Sequence, residues 1–423
     1  MVETRPGDAP ELMRQGWPAL VRNLRVLNAS GVQLPAISAG AAGWALPAGG
    51  RNVIVVCDVD YQLLVNRGWP APRESAYADD STLFIVARSL FVGSDARGPI
   101  RVRFVVPAGW RVLAPWPRDN DDTHTFRVED FERLANNAFA VTRVPSATAR
   151  AGGVTMETVT FGKWQSRTDE IAAALRAHAA TFARLFDDDS EHHYLAAFLE
   201  AERMGGEAYL DSYAMQADPA SAASGWSRIV AHELFHYWNG QRLRGDDYIA
   251  SQWFAEGITE YFALLSMAQN GLMSEQEVLD QLSSRLRASQ GMTTSLVESG
   301  GRKNAAFYGR AAITGLLLDL LLRERTANRR GLPDLMRALW REYGRTDRPY
   351  TLAELYAAAS AVAGADLAPR IRRWVEEADP PEMDALLATA AIRIVQDSVG
   401  PRIAVDPAAP ATARARWRSI LSR

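Results

Sequence analysis

His232-Glu233-Leu234-Phe235-His236 sets two imidazoles and a carboxylate within one helical turn. Residues four apart on a helix share a face, so both rings can reach one ion. Glu233, directly after the first histidine, can meet a water held on that ion, as the general base of a zinc peptidase must. The flanks favour a helix: Ser224 or Ser227 is a suitable cap, and Ile229, Val230, Leu234 and Phe235 supply an apolar face. The competing reading is a chance match on an amphipathic helix. With six histidines in the whole chain, that reading asks much of coincidence.

Zinc that performs chemistry needs a third protein ligand and an open fourth position. The candidate is Glu256, within Trp253-Phe254-Ala255-Glu256-Gly257-Ile258-Thr259-Glu260-Tyr261. Nineteen residues separate it from His236. That length lets the first helix end near Asn239-Gly240 and the chain loop through 242–247. A second helix, capped by Ser251, then carries Glu256 inward. Glu260 lies one turn further on. It is either a solvated helix glutamate or the acceptor for the outer ring N–H of a zinc-bound histidine, which would fix the tautomer and ring orientation. The expected centre is one Zn2+ per chain on His232, His236 and Glu256, completed by water.

These motifs resemble the gluzincin clan of metallopeptidases, and within it the glycyl aminopeptidase family, whose zinc helix reads roughly H-E-[YF]-F-H-x-W-N-x-x-R-[IL]-R. Residues 232–244 match at nearly every position, and the family's W-F-x-E-G-x-T-x-Y is matched in full by residues 253–261. A third segment, Y-x-K-G followed by an apolar run and L-D-L-x-x-R-x-x-T, is matched from Tyr308 to Thr326, with Arg310 in place of Lys and Ala311 in place of Gly.

The resemblance implies roles that local sequence does not. Read alone, Phe307-Tyr308 is aromatic packing at the head of the apolar run 311–322. By resemblance, the Tyr308 phenol donates to the oxyanion of a tetrahedral intermediate, where such a donor is typically worth about 3–4 kcal/mol. The segment Gly205-Gly206-Glu207 resembles the glycine-rich edge strand that pairs with the substrate backbone, and Glu207 the acid that holds a free substrate amine. Here Glu207 follows the glycines directly, whereas the family usually has a residue between; otherwise the segment reads as a turn with one solvated acid. The nineteen-residue gap is shorter than in glycyl aminopeptidase relatives and closer to the alanyl-aminopeptidase and leukotriene-hydrolase family.

Composition agrees. With 423 residues, 48% hydrophobic and 23% charged, the chain has room for two or three domains and a large core. A net charge of −3 gives no reason to expect nucleic acid or an anionic membrane as partner. The one cysteine, Cys57, excludes an internal disulfide and a thiolate zinc cluster. Residues 1–16 are polar, so this stretch is not a signal peptide and a cytoplasmic location is expected, or a periplasmic or secreted one if a leader precedes the chain. The apolar run 311–322 is broken by Asp319 and too short to span a bilayer.

The fold class expected is multidomain α+β. Residues 17–152 read as a β-sandwich-like domain: Val- and Ile-rich runs at 53–59 and 100–106, the latter alternating in period two, separated by turns at 47–50, 107–109 and 119–122. The first strands of the family's β domain look missing or shortened. Residues 153–270 read as a thermolysin-like zinc-binding domain, with a strand at 154–161, a helix at 169–186, strands near Tyr194 and Tyr209, and then the zinc helix. Residues 271–400 read as a helical lobe carrying Tyr308, with helices at 275–289, 304–325, 332–343, 352–362 and 371–377. Residues 401–423 form a basic tail, either a surface helix or a disordered end. The function expected is a zinc-dependent peptidase acting on peptides, an aminopeptidase releasing small N-terminal residues such as Gly or Ala. An endopeptidase on the same scaffold would share the catalytic residues, whereas a non-catalytic peptide-binding module would be expected to have lost Glu233 or a ligand. Oligomeric state is not legible.

Overall fold

Two different hydrophobic periods, two residues in the first part of the chain and 3.6 in the last, organise this protein. The computed structural model describes residues 17–40, 43–46, 53–59, 76–93, 98–119, 122–202, 204–346, 348–378 and 380–422. The polar start at 1–16, the turn at 47–50 and the centre of the turn at 119–122 lie outside them. The chain forms two units: Met1–Thr148 with Glu157–Thr168 and His193–Pro219, and Ala149–Met156 with Asp169–His192 and Ala220–Arg423. The expected boundary at 152/153 is therefore not where the chain divides. Residues 157–168 and 193–219 join the first unit because their strands share its core, where Val159, Phe161, Leu195 and Leu199 pack with Phe84 and Leu113.

The first unit is β-rich, as its sequence pattern requires. The strand Ile100–Arg103 buries Val102 between exposed Arg101 and Arg103 and pairs antiparallel with Asp122–Val128. Thr82–Val86 pairs antiparallel with Ala138–Thr142, placing Ile85 opposite Phe139. Phe104, Trp116, Phe126 and Phe139 fill the core beneath, with the Phe104 and Phe139 rings 5.1 Å apart. Near the start, the strands Gln33–Leu34, Ile37–Ser38 and Trp44–Ala45 are only two residues long, but the first strand, Val21–Leu27, runs for seven residues and pairs antiparallel with Ile54–Val59. The unit also holds His192–Glu200 (from His193 on), which runs parallel to Ser212–Ala217. Gly205–Ala208 pairs antiparallel with the latter and forms the sheet edge.

The second unit is helical. Its helices include α1 (Thr168–Phe186, in this unit from Asp169), α2 (Ala223–Phe235), α3 (Tyr248–Gln252), α4 (Thr259–Gln269), α5 (Glu275–Ser289), α6 (Ala305–Arg325), α7 (Leu332–Leu339) and α8 (Leu352–Ala363). Ile171, Leu175, Phe182 and Phe186 form the apolar stripe of α1, and Phe186 stacks on Trp238 at 5.5 Å. The apolar run 311–322 is part of the longer α6, which is long and apolar enough to cross a membrane, yet 83% of that stretch is buried inside the protein. A helix apolar on all sides belongs in a core. Asp319, within its apolar run, is fully buried and accepts from Tyr261 Oη at 2.8 Å, Arg323 Nε at 3.0 Å and the Leu332 N–H at 2.7 Å. Those partners account for the Leu-Asp-Leu…Arg pattern.

Three expectations need correction. Neither Ser224 nor Ser227 caps α2. Ala222 precedes the helix without a side-chain cap, and the Ser227 hydroxyl instead satisfies the buried His178 ring at 3.0 Å. The cap of α3 is Asp247, which accepts from the Ala250 N–H at 3.0 Å, while Ser251 lies inside the helix. The lobe at 271–400 is not wholly helical, while of the two readings of the tail the helix is the one found, over Ala411–Leu421. Ile392–Asp397 and Gly400–Val405 form a hairpin, and the helix Ala411–Leu421 buries Trp417 and Ile420 and sends the Trp417 N–H to Glu275 at 2.7 Å.

Candidate metal centre

The buried face of α2, with Trp226, Val230 and Leu234, fixes the helix in the core and turns His232 towards the centre. His236 stands at its C-terminus, where the α-helix gives way to turns. Both rings are held from behind. His232 Nδ1–H donates to Glu260 Oε2 at 3.0 Å, and His236 Nδ1–H donates to the Asn239 carbonyl at 2.9 Å. A carbonyl and a carboxylate only accept, so both Nδ1 atoms carry protons and both Nε2 atoms turn inward.

Those Nε2 atoms are 3.1 Å apart, and Glu256 Oε2 lies 3.4 Å from each. Two imidazole nitrogens and a carboxylate oxygen thus converge with no donor among them unless a proton or cation sits between. Tetrahedral zinc with ligand bonds of about 2.0–2.1 Å needs donor separations of about 3.3–3.4 Å, so the triangle fits the ion. Burial alone would keep the His232 ring neutral, but the carboxylates of Glu256, Glu260 and Glu233 outweigh it and raise the group to about 10. In the absence of a cation, the same gap draws in a proton. Glu256 is held well below the usual carboxylate range: burial opposes this, but His236, Lys303 and His232 prevail.

Glu256 is carried by a π-helical turn, Trp253–Ile258, between α3 and α4. Such turns insert a residue into a helix and re-aim a side chain, and they recur at functional sites. Gly257 in this turn allows α6 to pack closely, since a Cβ on it would come within 2.5 Å of Ala311 on α6. Asn239 ties the same turn to the end of α2, its amide donating to the carbonyls of Phe254 at 3.0 Å and Ala255 at 3.2 Å.

Glu260 is not a solvated glutamate: it is 2% exposed. Besides His232 it accepts from Arg228 Nη1, at 2.8 and 3.0 Å to its two oxygens, and from Arg285 Nη2 at 2.6 Å. Burial would raise its carboxyl, but Arg228, His232 and Arg285 hold it far below the usual range. A carboxylate so fixed keeps the His232 ring in one tautomer and one orientation.

Glu233, 8% exposed, follows His232 on α2. Tyr308 lies in the first turn of α6, half-buried, with its ring 6.4 Å from that of His232, whereas its neighbour Phe307 is buried. That turn presses on α5 through Gly309, where a Cβ would meet the Arg285 carbonyl at 2.5 Å. The structure therefore gathers His232, His236, Glu256, Glu260 and Tyr308 in the second unit. Gly205, Gly206 and Glu207 belong to the first unit, on the edge strand, with Glu207 opposite Ala214. Sequence reasoning passed over Arg228, Arg285, Lys303 and Asn239. Only Asn239 had a signal, standing inside the matched motif.

A sequence model of the M61 glycyl aminopeptidase matches residues 226–310, and one of the M61 peptidase N-terminal domain matches residues 13–139. No curated protein sequence matches the chain. Among solved structures, the aminopeptidase N family protein of Idiomarina loihiensis aligns with a TM-score of 0.76 at 22% identity, over 90% of this chain and 72% of that one. A mutant M1 zinc metallopeptidase of Deinococcus radiodurans, bound to a Tyr-Ser-Ala substrate, aligns at 0.57 and 17% identity, over 86% of this chain and 85% of that one. A two-domain M1 zinc metallopeptidase mutant bound to L-arginine gives 0.56 at 16% identity with the same coverage. At these identities the likeness is one of fold: a β-rich N-terminal part followed by a helical C-terminal part.

Proposed function

Because this chain belongs to the M61 glycyl aminopeptidase family of peptidases, we propose that it is a zinc-dependent aminopeptidase releasing small N-terminal residues such as Gly or Ala. The observation that carries the metal is the donor-free triangle of His232 Nε2, His236 Nε2 and Glu256 Oε2, with sides of 3.1, 3.4 and 3.4 Å. Zinc bound there supplies a Lewis acid that makes water acidic near neutrality and polarises a substrate carbonyl.

This chain's own groups do the rest. Glu233 takes a proton from the attacking water and delivers it to the leaving amine. Tyr308 donates its phenol O–H to the carbonyl oxygen as negative charge develops. Glu260, gripped by two guanidiniums, keeps His232 facing the metal. The tripeptide and the free amino acids bound by the M1 relatives fit the substrate and product of such an enzyme.

Product analysis on paired peptides, with free and with acetylated N-termini, tests this reading. Release of the first residue from free-amine peptides, with acetylated ones untouched, is the expected result. Internal cleavage of acetylated peptides would instead make the protein an endopeptidase on the same scaffold, consistent with the shifted position of Glu207.

A further inference from the structure

Glu256 uses its two oxygens differently. Oε2 faces the histidine pair, at 3.4 Å from each Nε2, whereas Oε1 accepts from Lys303 Nζ at 2.7 Å. The carboxylate is 6% exposed and the lysine side chain 30%, so the ion pair sits at the inner wall of the site with little water to compete.

Lys303 is itself constrained. It stands two residues before α6, next to Asn304, whose side chain caps that helix by accepting from the Phe307 N–H at 3.0 Å. Its backbone has φ +40°, in the left-handed region that a lysine adopts only when its surroundings impose it. Its ammonium also lies 5.6 Å from the centre of the ring of Tyr248, the first residue of α3. Two elements and a strained backbone therefore aim one ammonium at one carboxylate oxygen.

We propose that Lys303 is a positioning residue for the metal: by occupying Glu256 Oε1 it restricts this ligand to a single oxygen and keeps a coordination position open for water and substrate. A carboxylate whose second oxygen is unclaimed can rock and chelate through both. In a site with only three protein ligands, that would fill the position on which catalysis depends. Hydrogen bonds from outside the ligand set are the usual means of fixing a ligand's orientation, and their loss typically costs about 10–100-fold. The inference rests on the zinc reading above.

Cobalt(II) in place of zinc separates the two. Its visible absorption is strong in four-coordinate sites and several-fold weaker in five-coordinate ones. The wild type should take up one equivalent and show the strong band. Lys303→Met should bind the same amount but show the weak band, with kcat reduced by about 10–100-fold and KM little changed. Lys303→Arg, which restores a cationic donor, should recover the strong band. Lys303→Gln, shorter and uncharged, must repeat the loss, and it serves if the methionine variant does not fold. A lysine that merely braced α6 would change melting temperature but not the spectrum. Superimposable spectra for the wild type and the neutral variants, or a weak band in the wild type, would overturn the role of Lys303. A wild type that takes up no cobalt would sink the metal site itself instead.

Discussion

Replacing Glu260 by glutamine tests how the metal-facing histidine is held. The native carboxylate meets three side chains: His232 at 3.0 Å, Arg228 at 2.8 and 3.0 Å, and Arg285 at 2.6 Å. All are donors. Glutamine offers one acceptor oxygen and a pair of N–H donors, so whichever way its amide turns, an N–H confronts an N–H or a guanidinium. Breaking a buried ion pair by removing one partner costs about 3–5 kcal/mol. Because the side chains of Arg228 and Arg285 are 22% and 21% exposed, they can turn partly to water. The loss should therefore fall near the lower end, about 3 kcal/mol. Loss of the acceptor behind His232 should separately weaken zinc by about 10–100-fold, or ~1.4–2.7 kcal/mol. Urea melts of the metal-free protein read the first quantity, and competition against a chelator of known affinity reads the second. Wild-type stability together with wild-type zinc affinity in Glu260→Gln would refute the reasoning, since neither the charge nor the acceptor would then matter.

Glu233→Gln should keep its zinc and lose at least about 10³-fold in kcat, measured on a free-amine glycyl peptide; activity near wild type would exclude it as the base. Tyr308→Phe should lower kcat by about 10²–10³-fold with little change in KM, because its contact forms only as charge develops on the oxygen. Phe307→Leu, a change at a buried packing residue, should affect stability more than turnover, and a Tyr308→Phe kcat within about threefold of wild type would reassign Tyr308 to packing. His178, fully buried between Ser227 and Ser266, is pushed down to about 3 by burial, against 6.5 for an ordinary histidine. Below pH 6.5 the unfolded chain therefore binds a proton that the native state refuses, and stability falls as pH falls. This group should account for a loss of about 2 kcal/mol between pH 6.5 and 5. Urea melts of wild type and His178→Gln at both values check this; equal pH dependence in the two would contradict it.

What sequence made legible at this site is what local spacing encodes. His232, His236 and Glu260 each sit four residues from a partner of the motif, and helical geometry alone relates them. Lys303, Arg228 and Arg285 lie 47, 32 and 25 residues from the carboxylates they bind, and nothing in their own neighbourhoods announces it. The close approach of Gly257, next to Glu256, to Ala311 was equally hidden, because it is a tertiary contact. Tyr308 depended on family resemblance, since its local sequence reads as packing. At the C-terminus, the alternation Ile392-Arg393-Ile394-Val395 is a period-two signal that the helical context masked. The basic run around Trp417 looked like a solvated tail only because its buried partners are far away in sequence.

The central claim is that His232, His236 and Glu256 together hold one zinc ion. Elemental analysis of the purified chain beside His236→Ala, after exhaustive dialysis against metal-free buffer, addresses it directly. The account predicts about one zinc per wild-type chain and nearly none in the variant, since two remaining ligands do not hold the ion. Equal zinc in both proteins, or a wild type that holds none when zinc is supplied, would contradict it.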